Sequence, residues 1–188
     1  MVITASTSDA SAAADPDAGA AAVWALLREV PDPEIPVLSI CDLGIAREVR
    51  MGDPVEVVLT PTYAGCPATQ VISQSVLDAL HAHGYPDARV TMTLAPPWTT
   101  DWISPAGRAK LKAYGIAPPG RARAGGARVI RFKPLQPLGA ESEPGPLPAC
   151  PQCGSVHTEL LSQFGSTACK ALYRCVDCRE PFDYFKPY

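Results

Sequence analysis

Two Cys-x-x-Cys pairs near the end of the chain, Cys150-Pro-Gln-Cys153 and Cys175-Val-Asp-Cys178, constrain the fold more than any other feature. A tight turn between paired cysteines aims both sulfurs at one point. Two such turns close a tetrahedral shell of four thiolates, which is the structural zinc arrangement. The 21 residues between the pairs are enough for a hairpin, with Gly154 freeing the backbone to curl round the first pair. Residues 156–161, 171–174 and 181–185 suit strands, the last carrying Phe182, Tyr184 and Phe185. So short a module has little core, and the metal must supply much of its folding free energy. Residues 147–188 are therefore expected to form a β ribbon holding zinc through Cys150, Cys153, Cys175 and Cys178. His157 stands near the first pair, but four thiolates already complete the shell.

The other properties bound the class. Seven cysteines in a chain without a basic, apolar leader favour reduced thiols and metal ligands over disulfides, hence a cytoplasmic setting. The net charge of −3 argues against a protein that coats nucleic acid non-specifically. No apolar run approaches the roughly 20 residues of a membrane helix. An apolar fraction of 47% supports a buried core. Residues 1–19, rich in Ala, Ser, Thr and Asp, read as a disordered tail.

Between tail and ribbon, residues 20–118 have the pattern of a small α/β (α+β) domain. A helix is expected over 20–30 with Val23, Leu26, Leu27 and Val30 on one face, and a β-branched strand over 54–60. A second helix should start at Pro67, bury Ala68, Val71, Ile72, Val76, Ala79 and Leu80, and stop at Gly84. Alternation over 88–94 predicts a half-buried strand with Val90, Met92 and Leu94 inward, and 105–114 predicts a third helix. Residues 119–146 form a Pro/Gly-rich connector, with a short strand conceivable at 128–132. Between Asp101 and Glu141 there is no acidic residue, while Arg108, Lys110, Lys112, Arg121, Arg123, Arg128, Arg131 and Lys133 are basic. That stretch reads as a solvated linker or as a docking surface for an acidic partner.

Cys66, in Thr62-Tyr-Ala-Gly65-Cys66-Pro67, joins a strand to a helix. At a helix N-terminus, unpaired N–H groups favour a thiolate and lower its pKa, which suits a nucleophile or a soft-metal ligand. His81 and His83 lie a helix length away, which weakens a Cys/His hydrolase reading. Asp32 and Glu34 sit in a proline-braced acidic stretch that can orient a loop, cap a helix or bind metal. Cys41, among Leu38, Ile40 and Leu43, reads as core. Cys169 is either a surplus thiol at a hairpin tip or an extra ligand that exchanges onto an incoming cluster.

Asp32-Pro-Glu34-Ile-Pro, Asp42-Leu-Gly44-Ile and Thr62-x-x-x-Cys66-Pro67 resemble the SufT-like domain of iron–sulfur cluster assembly factors. With Pro97-Trp98-Thr-Thr-Asp101-Trp102-Ile103-Ser and Phe164-Gly-Ser-Thr-x-Cys169-Lys, residues 23–188 resemble the PaaD family, accessory proteins encoded with phenylacetyl-CoA epoxidase. The resemblance implies a SufT-like domain joined to a zinc ribbon, and a non-catalytic role in maturing metal centres of the epoxidase's oxygenase or reductase. It implies that Cys66 holds or passes on iron or an iron–sulfur cluster transiently, with Asp32 and Glu34 lining the same region and Cys169 as a candidate helper. The family often ends Phe-Lys-Cys; here Lys186 is followed by Pro187, so no terminal cysteine is assigned a role. Rival readings are an integral non-catalytic subunit or thiol-dependent enzyme of the ring-epoxidising complex, and a nucleic-acid-binding ribbon. A cluster shared between two copies in a homodimer also stays open.

Overall fold

A computed structural model describes residues 16–120 and 147–188. Helix α1 (Pro16–Glu29) starts earlier than its apolar face suggested, because Pro16 supplies a pre-set φ for the first turn. Residues 16–19, assigned above to the tail, are thus helical. Strands β1 (Ala46–Arg50), β2 (Glu56–Leu59) and β3 (Arg89–Met92) form a sheet in spatial order β1-β2-β3. β1 runs antiparallel to β2, whereas β3 runs parallel to it. A parallel neighbour requires a crossover, and α2 (Thr69–Ala82) provides it.

The central strand explains its own sequence. Val57, Val58 and Leu59 are all buried, so both faces of β2 are covered and the run is apolar without alternation. α2 buries Ala68, Ile72, Val76 and Leu80. Val71, expected on that face, is instead 53% exposed, because it lies one residue off the 3.6-residue stripe. The expected inward face of β3 holds only at Val90; Met92 and Leu94 are exposed on this edge strand. β1 had no clear signal, since Ala46-Arg-Glu-Val-Arg50 is mostly charged and half solvent-facing.

Beyond β3, a single 3₁₀ turn (Thr100–Trp102) leads to α3 (Pro105–Ala113). The Ser104 hydroxyl caps α3 by accepting from the Gly107 N–H at 2.8 Å, and Pro105 follows the cap. Gly115, at φ +88°, turns the chain out of the helix into β4 (Ile116–Ala117). β4 pairs in parallel with β7, at the edge of a second sheet ordered β4-β7-β6-β5. The ribbon strands are β5 (Thr158–Ser162), β6 (Lys170–Cys175) and β7 (Pro181–Phe185). Most of the basic connector and the segment 128–132 lie outside the described residues.

Two apolar clusters result. The larger gathers α1, α2, the first sheet, Trp98, Leu111 and Ile116, and it takes in Cys169 and Phe185 from the ribbon. The smaller holds Ala117, Cys150, Cys175 and Phe182, with Tyr173 and Tyr184 against it. Phe185 lies 6.1 Å from Trp98 between ring centroids, so the ribbon is seated in the core of the first domain rather than tethered beside it. Among the described residues, no helix is long and apolar enough to cross a membrane.

Candidate functional site

The four knuckle cysteines converge. Their sulfurs all lie within 4.8 Å of one another, with Cys150 Sγ 3.7 Å from Cys178 Sγ and Cys153 Sγ 3.5 Å from Cys175 Sγ. A zinc ion with Zn–S bonds of about 2.3 Å needs tetrahedral edges of about 3.8 Å, so these donors fit the ion. Each pair is followed by a left-handed residue, Gly154 at φ +78° and Arg179 at φ +64°. The chain curls back in the same way at both, and the Gly154 N–H donates to the Cys150 carbonyl at 2.9 Å. The second knuckle does this without glycine, at the conformational cost of an L-residue in that region. His157 is drawn to Asp177, with Nδ1 3.3 Å from the carboxylate, and stays outside the shell. Tyr173 packs on Phe182 (6.0 Å) and Tyr184 (5.5 Å), so these rings form the ribbon's own core and not a platform for bases.

The other candidates meet elsewhere. Asp32, Glu34, Cys66 and Cys169 all line one narrow cavity of about 20 Å³, with Ile35, Leu59, Ile72, Met92 and Phe185 among its apolar walls. Cys66 comes from the β2–α2 turn and Cys169 from the residue before β6. Cys169 Sγ stands 3.6 Å from Glu34 Oε2 and 3.0 Å from the Thr167 hydroxyl. The Phe164-Gly-Ser-Thr segment is what delivers it. A Cβ on Gly165 would sit 2.5 Å from Asp183 Oδ1, and Ser166 donates to Asp183 at 3.0 Å, so this loop lies tightly on β7 and turns Cys169 inward. Cys169 does end the connection of the β5–β6 hairpin, but it is buried there, 4% exposed.

The two carboxylates differ in role. Asp32 Oδ1 accepts the backbone N–H groups of Glu34 (2.9 Å) and Ile35 (2.8 Å), which fixes the loop. Glu34 is thereby presented to the cavity. Burial raises the Asp32 carboxyl, against those two hydrogen bonds and nearby Lys170. Lys170 is itself buried and reaches Asp183 at 3.5 Å.

Cys66 departs from expectation. It precedes α2 by three residues, and its carbonyl accepts from the Thr69 N–H and hydroxyl. Burial raises its thiol despite the Ala68 N–H directed at it, and the Glu34 and Asp32 charges push the same way. The helix-end effect is outweighed because the sulfur is half-buried among acids. Burial also pushes Cys169 up to about 11 and Cys41 up to about 11, the latter against the core as expected. Tyr63, flanked by Cys66, Glu34 and Cys169, is raised to about 12, first by burial.

Aromatic side chains gather near the two thiols. Tyr188 stacks on Tyr63 at 6.5 Å and meets Trp98 edge-on at 6.3 Å. The Trp98 indole N–H donates to the Leu43 carbonyl at 2.9 Å. Tyr63, Trp98, Lys170 and Tyr188 were not singled out as site residues from the sequence. The Trp-rich and Phe-Gly-Ser-Thr segments were the available signals.

Fold and donors together define an iron–sulfur-assembly type of domain with a zinc ribbon seated in its core. The family model described as iron-sulfur cluster assembly protein matches residues 20–96, and that of the PaaD zinc beta ribbon domain matches residues 136–186. A curated relative from Escherichia coli (strain K12), named as a putative subunit of 1,2-phenylacetyl-CoA epoxidase, is 48% identical over 165 residues, spanning 87% of this chain and 90% of the relative. The chain belongs to the PaaD family. Solved structures that it resembles include a domain of unknown function from Bacillus anthracis (25% identity, 51% of this chain and 93% of that one, TM-score 0.48). Another is a Mycobacterium tuberculosis protein associated with Fe–S complex assembly and repair (32% identity, 58% and 96%, TM-score 0.31).

Proposed function

We propose that this protein is a non-catalytic assembly factor that helps to load metal centres of phenylacetyl-CoA epoxidase. The observation that carries the reading is the cavity shared by Cys66, Cys169, Glu34 and Asp32. It is narrow, with room for about one water-sized atom at its waist. The donors suit a metal cargo. Cys66 is the principal thiol, Cys169 and Glu34 face it across the cavity, and Asp32 holds the Glu34 loop in place.

The two metal-related sites do different work. The ribbon's four thiolates form a complete shell, which suits a permanently held structural zinc. Among the described residues no other group of three or more donors lies within 4.8 Å of one another, so the cavity donors do not make a closed shell like that of the ribbon. We take residues 1–19 as a tail whose last four residues open α1, 20–118 as the assembly domain, 119–146 as a connector and 147–188 as the ribbon. The partner is the oxygenase or reductase component of the epoxidase. None of the seven cysteines is in a disulfide, which suits a reducing cytoplasmic setting.

Cys66→Ala should leave the fold and ribbon zinc unchanged yet abolish growth on phenylacetate when the variant replaces the wild-type gene. Normal growth would overturn thiol-dependent loading. The name of the E. coli relative favours a second reading, a resident subunit of the complex. A resident subunit co-purifies with the active epoxidase in stoichiometric amount, whereas an assembly factor is lost from it.

A further inference from the structure

We propose that Tyr188 is a releasable clasp that holds the Cys66 turn of the assembly domain against the Cys169 loop of the ribbon and so sets how readily the two thiols are reached. Its role as a gate rests on the carrier reading above; the clasp itself is tested by thiol reactivity, whatever the cargo.

The first observation is what Tyr188 touches. Its ring stacks on Tyr63 at 6.5 Å with the planes 14° apart, and the Tyr63 carbonyl accepts the Cys66 N–H at 3.1 Å. Its hydroxyl donates to the carbonyl of Ala168, the residue before Cys169, at 3.5 Å. One side chain therefore bridges the two loops that carry the thiols, and Trp98 meets the same ring edge-on at 6.3 Å. Burial raises the Tyr188 hydroxyl first, and the charges of Cys169 and then Cys66 add to it, so both sulfurs are within electrostatic reach of the ring.

The second is how Tyr188 is attached. The post that receives it is firm. Thr100 is fully buried, its carbonyl accepts Arg108 Nη2 at 2.6 Å, and Arg108 Nη1 donates to the Pro119 carbonyl at 2.7 Å. The bonds to the clasp are looser: the Tyr188 carbonyl accepts the Thr100 N–H at 3.3 Å and the Thr100 hydroxyl at 3.4 Å. With the Ala168 contact, all three exceed the usual limit of about 3.2 Å. Tyr188 is 40% exposed, so water can take over these bonds on release.

The third is where the strap begins. Phe185 is 1% exposed, and the Lys186 N–H donates to the Cys169 carbonyl at 3.0 Å. Pro187 has no N–H to add a further tie. Pro187 and Tyr188 can therefore lift away while the ribbon stays seated, a local opening that takes less free energy than global unfolding.

The test is timed alkylation by iodoacetamide, followed residue by residue with peptide mass spectrometry, on the zinc-loaded full chain and on Tyr188→Ala and Tyr188→Phe. Ribbon zinc is the fold control, and Cys41, half-buried against the main core, is the internal one. Tyr188→Ala should raise the rates at Cys66 and Cys169 together by at least about fivefold, as expected for the loss of two aromatic contacts, with zinc and Cys41 unchanged. Tyr188→Phe keeps the stacking and loses one weak hydrogen bond, so its rates should stay within about threefold of the wild type. Unchanged rates at both thiols in Tyr188→Ala would overturn the clasp. A rise at one thiol alone would overturn the bridge between the loops, and a matching rise at Cys41 would overturn it as general loosening of the fold. Faster Cys66 and Cys169 in Tyr188→Ala, beside normal growth of Cys66→Ala on phenylacetate, would uphold the clasp and overturn the carrier reading alone.

Discussion

Asp42 shows how one carboxylate can hold distant backbone together. It accepts from the Ser39 N–H (3.1 Å), the Ser104 hydroxyl (3.2 Å) and Lys110 (2.6 Å), so the loop before β1 is tied to the start of α3. Burial alone would raise this carboxyl; the Lys110 ammonium and the Ser39 N–H overcome it and hold it below its ordinary value of 3.8. Its stabilising contribution is therefore present above that ordinary value and lost as pH falls through the lower folded one. Asp42→Asn should cost about 1–2 kcal/mol at neutral pH, since Lys110 is half-exposed, and should flatten the acid limb of stability against pH. Urea unfolding of both proteins between neutral and strongly acidic pH would measure it; parallel curves would contradict the assignment. Asp32 works in the opposite sense. Its raised carboxyl contributes stability below its ordinary value of 3.8 that is lost as pH rises through the folded value. Cys66 stood out in the sequence as a candidate, but the state of its thiol was not legible there, because burial among acids depends on chain segments far away.

At the scale of single elements, α2 tests how far periodicity can be read. Its buried stripe of Ala68, Ile72, Val76 and Leu80 follows the helical period, and Val71 falls outside it. Leu80→Ala should cost about 2–5 kcal/mol through lost contacts and a residual cavity. Val71→Ser should stay within about 0.5 kcal/mol. Thermal melts of the two variants separate the faces, and a large loss at Val71 would mean that another surface covers it. The central strand β2 was legible because both of its faces are buried and its core residues are apolar and largely β-branched. β1 was not, since an edge strand rich in charge carries its information in pairing to β2 rather than in pattern. β4 is only two residues long and exists because β7 offers it an edge.

For the molecule as a whole, the decisive fact is that the ribbon contributes Phe185 and Cys169 to the core of the first domain. Its own cluster is small, so metal and docking must together keep it folded. Cys150→Ser should release zinc, open residues 147–188 to protease and expose Cys169 to alkylation, while the assembly domain keeps its helical signal. Retained zinc and an unreactive Cys169 would contradict this coupling. Local chemistry in the sequence was enough to determine the four-sulfur ribbon, the helices and the general character of the assembly domain. Paired cysteines two residues apart, a 3.6-residue apolar period and caps such as Ser104 all act over a few residues. Only the tertiary structure decided that Cys169 faces Glu34 in the cavity lined by Cys66, that Asp32 braces the loop and Glu34 faces inward, and that burial outweighs the helix end at Cys66. Those outcomes depend on which surfaces bury one another, and burial is set by the packing of residues more than a hundred positions apart.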